Sequence, residues 1–291
     1  MRVLRALART FRGSKKLTVG TILLIAMVLI GAFSHDIVTW IGQGSNPLYV
    51  GWGRDFSHSG LKDPLGTDSV GRNILALTVT GLWTSLKVAF FAGLISTVIG
   101  VLVAFFAAYI GGILDAVLRT VTDTFLVIPA LPLLIAFSGF AKNVSLLEIS
   151  IIIAVFSWAG AARAIRSQVL SLRTRAYVDL AKMTKLSTPE IIFTELIPNM
   201  FPYIVLGLAV SAIGAIFFLA SLEIIGLGPS NLIDLGLIIN NGYSQGAFTL
   251  GDWTLFIAPI VAICLLFGSL NLINIGLDEV FNPRLRKVAG L

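Results

Sequence analysis

Charge is scarce in this chain. Of its 291 residues only 12% are charged and 56% are hydrophobic. A soluble domain carries about 25% charged residues, so there is too little polar surface here to cover a water-soluble globule. The bilayer is the solvent that suits such a chain. Cysteine is nearly absent: the single copy, Cys264, lies in an apolar run and excludes an intrachain disulfide. The two histidines, His35 and His58, are far apart and lack ligand spacing, so nothing supports a metal site. No Gly-Lys dipeptide occurs, which excludes a phosphate-binding P-loop.

What is present is a set of charge-free stretches long enough to cross a hydrocarbon core, which takes about 20 apolar residues. They run over 17–35, 88–114, 124–141, 149–162, 196–222 and 253–277, the fourth being the shortest. These six predict an all-α integral membrane protein with six transmembrane helices. The first could instead be a signal peptide, but its apolar run is long for one and no A-x-A site follows it.

The net charge is +6. Basic balance can mark nucleic-acid binding, but here the Lys and Arg lie between apolar blocks and no nucleic-acid motif accompanies them. Topology explains them better. Arg2, Arg5, Arg9, Arg12, Lys15 and Lys16 precede the first stretch, and Arg119 follows the second. Arg163, Arg166, Arg173, Arg175, Lys182 and Lys185 lie between the fourth and fifth, and Arg284, Arg286 and Lys287 end the chain. With both termini inside, sixteen of the 21 Lys and Arg are cytoplasmic, leaving Arg54, Lys62, Arg72, Lys87 and Lys142 outside. The positive-inside rule therefore selects cytoplasmic termini.

Small side chains recur every four residues at Ala92, Ser96, Gly100, Ala104 and Ala108, and again at Gly207, Ser211 and Ala215. Such stripes let helices approach closely; helix packing is the expected role, with pore lining as the alternative. Residues 36–82 read as an external segment, in which Thr67 or Asp68 could cap a helix running into Ile74–Leu82. Residues 227–252 carry no Lys or Arg; the apolar run Leu235–Ile239 suits a short helix in the outer mouth, with a disordered loop as the alternative. Arg119 is four residues from both Asp115 and Asp123, which predicts an intrahelical ion pair.

The connection between the fourth and fifth stretches is long for a bundle. Arg163–Arg173 reads as a helix leaving the membrane, and Tyr177–Leu186 as a second helix. Ser187-Thr188-Pro189-Glu190 is a capping box opening a third, through Ile191, Ile192 and Leu196. Pro198 is expected to end that helix, and Pro202 to precede the fifth span. The loop is thus a folded platform on the basic side. It is either a docking surface or a solvated anchor for helix ends.

Several motifs carry a family resemblance. The stretch Tyr177-Val178-Asp179-Leu180-Ala181 through Leu196-Ile197-Pro198-Asn199 resembles the EAA loop of ABC importer permeases. Ala181, Ile197 and Pro198 fit that pattern. Asp179 stands for its Glu, Leu180 for an Ala, Lys185 for its Gly and Glu195 for an Ile. Leu65-Gly66-Thr67-Asp68-Ser69-Val70-Gly71-Arg72-Asn73 resembles the Leu-Gly-Thr-Asp-x-x-Gly-Arg-Asp signature of the C-type subunit in dipeptide/oligopeptide/nickel permeases. Tyr109-Ile110-Gly111-Gly112, then Asp115, Asp123 and Pro129, is similar to that family's next connection. Ile225-Gly226-Leu227-Gly228 and the ending Phe281-Asn282-Pro283-Arg284-Leu285-Arg286 are similar to its later motifs.

The resemblance implies a type I ABC importer permease fold in the cell inner (plasma) membrane. Residues 1–82 would hold the N-terminus, first helix and external segment. Residues 83–291 would form a five-helix core with a coupling loop over 163–201. The implied partners are a second, homologous permease subunit, two ATPase subunits and an external substrate-binding protein. This chain would not be an enzyme and would bind no cofactor, since ATP and Mg belong on the ATPases. Tyr177, Asp179, Ala181, Lys182, Lys185, Leu186 and Pro198 would form the ATPase-coupling loop, with Asp179 as its acidic contact. Gly66, Thr67, Asp68, Gly71 and Arg72 would form the external signature.

Lysine disfavours the left-handed turn that a glycine at 185 permits, by ~1 kcal/mol. Either that turn is built another way or the ATPase it meets has diverged. Glu223 departs from the family's small or apolar residue; it is expected to be solvated at the outer end of the fifth helix, with contact to substrate or binding protein as the alternative. Substrates across the family are di- and oligopeptides, nickel complexes and oligosaccharides. The rival reading is an ion-coupled secondary transporter. It needs ionisable groups deep in the membrane, and none of the six stretches contains a carboxylate. An intramembrane protease would need a base inside the bilayer, and both histidines fall in the external segment or at its edge.

Overall fold

The computed structural model describes residues 14–54, 63–138, 144–229 and 231–281. The basic positions 2–12, His58, Lys62, Lys142 and the Asn282–Lys287 ending lie outside the described residues. Among the described residues the regular structure is helical, apart from one isolated bridge between Thr67 and Asn73. Five helices are long and apolar enough to cross a membrane, and a bent pair makes a sixth. Each of the six expected stretches falls on one of these helices or on the bent pair, with different boundaries.

The first span, α1 (Lys15–Ala32), starts at Ser14, whose hydroxyl accepts the Leu17 N–H. A short helix, α2 (Ser34–Gly42), follows it. The third, α3, runs unbroken over Ile74–Ile110, 37 residues and so about 55 Å. It therefore begins well inside the segment read as external. Asn73, not Thr67 or Asp68, caps it, accepting the Ala76 N–H at 2.9 Å. Lys87 does not interrupt the helix, since lysine is a good helix former; its ammonium lies over the Trp83 ring, 4.9 Å from the centroid.

The small-residue stripe of α3 is a packing seam. All five of its residues are buried. A Cβ on Gly100 would stand 2.9 Å from the Ala162 N and 3.1 Å from the Trp158 carbonyl. Two helix backbones are in contact there, as small residues allow.

The third span is bent. Here α4 (Gly112–Val127) and α5 (Ala130–Ser138) meet at 75° across Ile128-Pro129. Pro129 has no N–H to give, so the helix stops before it. The fourth helix, α6 (Leu146–Leu172), continues without a break through Arg163 and Arg166. The expected ion pair within α4 is present between Arg119 and Asp123, and these arginines of α6 add closer partners. Arg166 donates to both oxygens of Asp115, at 2.8 and 2.6 Å, and Arg163 donates to Asp123 at 2.7 Å. Arg119 pairs with Asp123 at 3.6 Å along α4 and leaves Asp115 to Arg166. The carboxylates tie α4 to α6, because a guanidinium on a facing helix can present two parallel N–H groups.

The coupling segment comprises α7 (Ala176–Met183), the single turn α8 (Thr188–Glu190) and a π-helical turn over Ile191–Leu196. The turn leads straight into α9 (Ile197–Ile224). Neither proline acts as expected: Pro198 sits in the first turn of α9 and Pro202 inside it. The π turn just before Pro198 gives the physical reason. There the Ile197 N–H bonds the Ile192 carbonyl, an i→i−5 register that admits a residue unable to donate.

Two short helices, α10 (Leu235–Ser244) and α11 (Ala247–Leu250), fill the region where an outer-mouth helix was expected. The last helix, α12 (Thr254–Phe281), packs on α1. A Cβ on Gly276 would lie 2.4 Å from the Leu17 N. The Ser14 hydroxyl donates to Glu279 at 2.7 Å, and Lys16 pairs with the same carboxylate.

Candidate functional site: the coupling loop and the external signature

The inner face of α7 is apolar and buried. Val178 and Ala181 pack with Ile191, Ile192 and Leu196. Its outer face is left free of the other described residues. Leu180 is 62% exposed and Met183 81% exposed, beside the exposed pair of Asp179 and Lys182, joined at 2.9 Å. Glu190 fixes the next turn, accepting the Ser187 N–H and hydroxyl, both at 2.7 Å. Burial pushes the Tyr177 phenol up, and its hydroxyl is buried without a hydrogen-bond partner among the described residues.

Lys185 has φ +61, so the left-handed turn is present even though glycine is not. The alternative of a differently built turn is thereby corrected. The Lys185 N–H bonds Lys182 O at 3.0 Å and the Leu186 N–H bonds Ala181 O at 3.3 Å. These are the two bonds of a Schellman helix end, which fixes the backbone regardless of the side chain. Because lysine carries the left-handed penalty, Lys185→Gly is expected to stabilise the segment by about 1 kcal/mol. A thermal melt in detergent that stays put or falls would contradict this.

The external signature folds into a knot. Asp68 is fully buried and accepts the N–H groups of Val70 and Arg72 on one oxygen, at 3.1 and 2.8 Å. Its other oxygen takes the Arg72 guanidinium at 2.7 and 2.6 Å. Gly66 accepts the Ile74 N–H at 3.0 Å, and the buried Thr67 donates its hydroxyl to the Arg54 carbonyl. Gly71, at φ +76, accepts the Gly53 N–H at 2.8 Å. These residues staple the segment around 47–54 onto the start of α3 and are spent on one another. The signature and the coupling loop are not brought together; they sit at opposite ends of the bundle.

Glu223 was expected in solvent and is buried instead, 1% exposed, as is Asp234. Asp234 caps α10, accepting Gly236 and Leu237 N–H at 2.6 and 3.1 Å. A Cβ on Gly228 or Gly236 would collide with the Glu223 side chain, at 2.0 and 2.8 Å. The chain folds back over Glu223 because both positions lack side chains. The sequence held one signal of this, a lone carboxylate beside two glycines at 226 and 228. Two carboxyl groups in contact do not both ionise. Burial pushes Asp234 up, to about 6. An acid raised above its unfolded value favours folding most at low pH and loses that contribution as pH rises through the folded value. The outer-mouth packing should therefore weaken as pH climbs from roughly 4 to 6. Asp234→Asn keeps the cap and should flatten that step in a pH series of melting temperatures.

Comparison with known proteins agrees with this arrangement. A family model described as binding-protein-dependent transport system inner membrane component matches residues 96–287. The chain is similar to the oligopeptide transport system permease protein OppC of Bacillus subtilis, 27% identical over 278 residues, covering 95% of this chain and 88% of that protein. It is 28% identical over 232 residues to the OppC of Mycobacterium bovis, covering 79% of this chain and 78% of that one. It is also 28% identical over 284 residues to a putative peptide transport system permease protein of Brucella suis, covering 96% and 91%. With its apolar spans, its folded loop between the fourth and fifth, and a family match over most of its length, the chain belongs to the inner-membrane permease components of binding-protein-dependent transport systems.

Proposed function

We propose that this chain is one half of the pore of an ATP-driven peptide importer, and that α7 is where the ATPase docks. The observation that carries the proposal is the free face of α7. Leu180 and Met183 stand exposed next to Asp179 and Lys182, on a helix whose other face is locked into the bundle. An apolar anchor ringed by charge is the composition of an interaction hot spot. The partners are a homologous permease subunit, two ATPases and an external binding protein. ATP and Mg are held by the ATPases, and this chain contributes a passage rather than chemistry. Closure of the ATPase pair pulls on α7, and the unbroken path from Thr188 to Ile224 passes that motion into the membrane as a rigid-body tilt. Residues 163–201 are the transmission segment, both termini are cytoplasmic, and residues 1–82 are an accessory to the core. Peptide is the substrate class, as the relatives' names say of those proteins.

Co-expression with the neighbouring genes, reconstitution into liposomes and peptide uptake assays test this. Uptake that requires both ATP and the binding protein is expected. Uptake that follows an imposed ion gradient without ATP would restore the ion-coupled carrier.

A further inference from the structure

The one charged residue of α3, Lys87, has no acidic partner. Among the described residues it enters no ion pair, and its ammonium lies over the Trp83 ring. Its depth follows from the neighbouring helix. With 18 residues α1 is about 27 Å long, close to the ~30 Å of a hydrocarbon core. Trp83 lies against the far end of α1: a Cβ on Gly31 would stand 2.7 Å from the indole. The indole is therefore at the membrane interface, where tryptophan is enriched. Lys87 starts one turn farther in, and its stem carries the charge back to the Trp83 level, as lysine does in membranes.

Lys87 stands at a cleft of about 600 Å³ between α1, α3, α9 and α12, which reaches from Trp83 to Leu270 and Ile273. Every other residue lining it is aliphatic or aromatic. The small side chains of Ala209 and Ala212 keep α9 from filling it. A void at membrane depth forfeits the dispersion contacts of its walls, so either an acyl chain or another helix fills it. The charge decides between them. An apolar helix would leave the ammonium desolvated and unpaired, which is strongly unfavourable. A phospholipid supplies both missing groups, a hydrocarbon chain for the cleft and a phosphate for the ammonium.

We propose that this cleft is a phospholipid site, with one acyl chain lying between α1, α3, α9 and α12 and an anionic headgroup held through its phosphate by Lys87. The site is independent of what the transporter carries. A lone cation with no acid beside it favours a net-negative lipid over a zwitterionic one, whose own ammonium it repels. Under the topology proposed above, the lipid belongs to the outer leaflet.

The test uses the purified transporter, delipidated in detergent and titrated with phosphatidylglycerol or phosphatidylcholine, with bound lipid counted by native mass spectrometry. The parent is expected to hold one phosphatidylglycerol at least about fivefold more tightly than phosphatidylcholine. Lys87→Gln should abolish that preference and leave phosphatidylcholine binding unchanged, whereas Lys87→Arg should keep it. Val28→Phe, at a cleft position 38% exposed, adds bulk and should weaken the binding of both lipids. Melting in phosphatidylcholine alone shows whether each variant is folded, and Val28→Phe still decides if Lys87→Gln is not. Equal affinity for the two lipids in the parent, a preference that survives Lys87→Gln, or binding unmoved by Val28→Phe overturns the site. A preference shown by the isolated permease but absent from the assembled transporter overturns it as well, and assigns the cleft to a helix of the sister subunit.

Discussion

Gly71→Ala is expected to unfasten the external segment from the bundle. Two independent effects act at this position. Its φ of +76 lies in the region that costs a side-chain-bearing residue about 1–2 kcal/mol. A Cβ there would also stand 2.4 Å from the Gly53 carbonyl oxygen, which is backbone and cannot rotate away. Forcing the two strands of chain apart costs a further 1–3 kcal/mol, roughly. It also breaks the 2.8 Å bond from the Gly53 N–H to the Gly71 carbonyl. The total, roughly 3–5 kcal/mol, is a large share of the stability a domain ordinarily has. Limited proteolysis should show new cleavage near residues 47–54, with α3 still protected. Asp68→Asn keeps an oxygen for the Val70 and Arg72 N–H groups but turns an NH2 donor toward the Arg72 guanidinium, so it should loosen the segment as well. Unchanged protease resistance in Gly71→Ala would show that the knot does not hold the segment.

That prediction also marks what the sequence could and could not say. The signature Leu65–Asn73 was legible as a motif, but its chemistry was misread: Asp68, offered as a helix cap, belongs to a charge pair with Arg72. Turn residues such as Asp68 and Asn73 are both good caps. Which of them caps and which closes a loop depends on Gly53 and Pro47, brought in from twenty residues upstream. The spans were legible because absence of charge over about 20 residues is a strong one-dimensional signal. Their ends were not, since α3 and α6 run on as helices past Lys87 and Arg163. A charge ends an apolar run without ending a helix. Pro198 and Pro202 misled for a related reason: a π turn formed by residues before the proline absorbs the missing donor. Glu223 was read from its neighbours in sequence, whereas Asp234 and Gly236 from the next helix decide its environment. The coupling platform was legible in its helix starts and its capping box, but its second helix ends at Met183 rather than Leu186 and its third runs on through Pro198. The capping box and the amphipathic helix are set by local contacts, whereas the left-handed turn at Lys185 was not legible because lysine does not announce it.

Asp179→Arg should therefore separate docking from folding. Asp179 is on the exposed face of α7 and its partner Lys182 is also exposed, so their pair contributes at most about 0.5 kcal/mol to the helix. The buried face, with Val178 and Ala181, is untouched. The variant permease should melt and assemble with its sister subunit as the parent does. Against an ATPase cleft that accepts an acidic residue, the reversal replaces attraction with repulsion beside the apolar contacts of Leu180 and Met183. Truncating one partner of a desolvated charge pair costs roughly 2–5 kcal/mol, and reversing the sign costs more. Co-purification of the ATPase should fall by more than tenfold, or hydrolysis should continue without uptake. A charge swap in the ATPase that restored uptake would place the contact at Asp179. If the variant retains both its ATPase and full uptake, the docking face lies elsewhere on the 163–201 segment. The exposed Leu180–Met183 surface would then need a different partner.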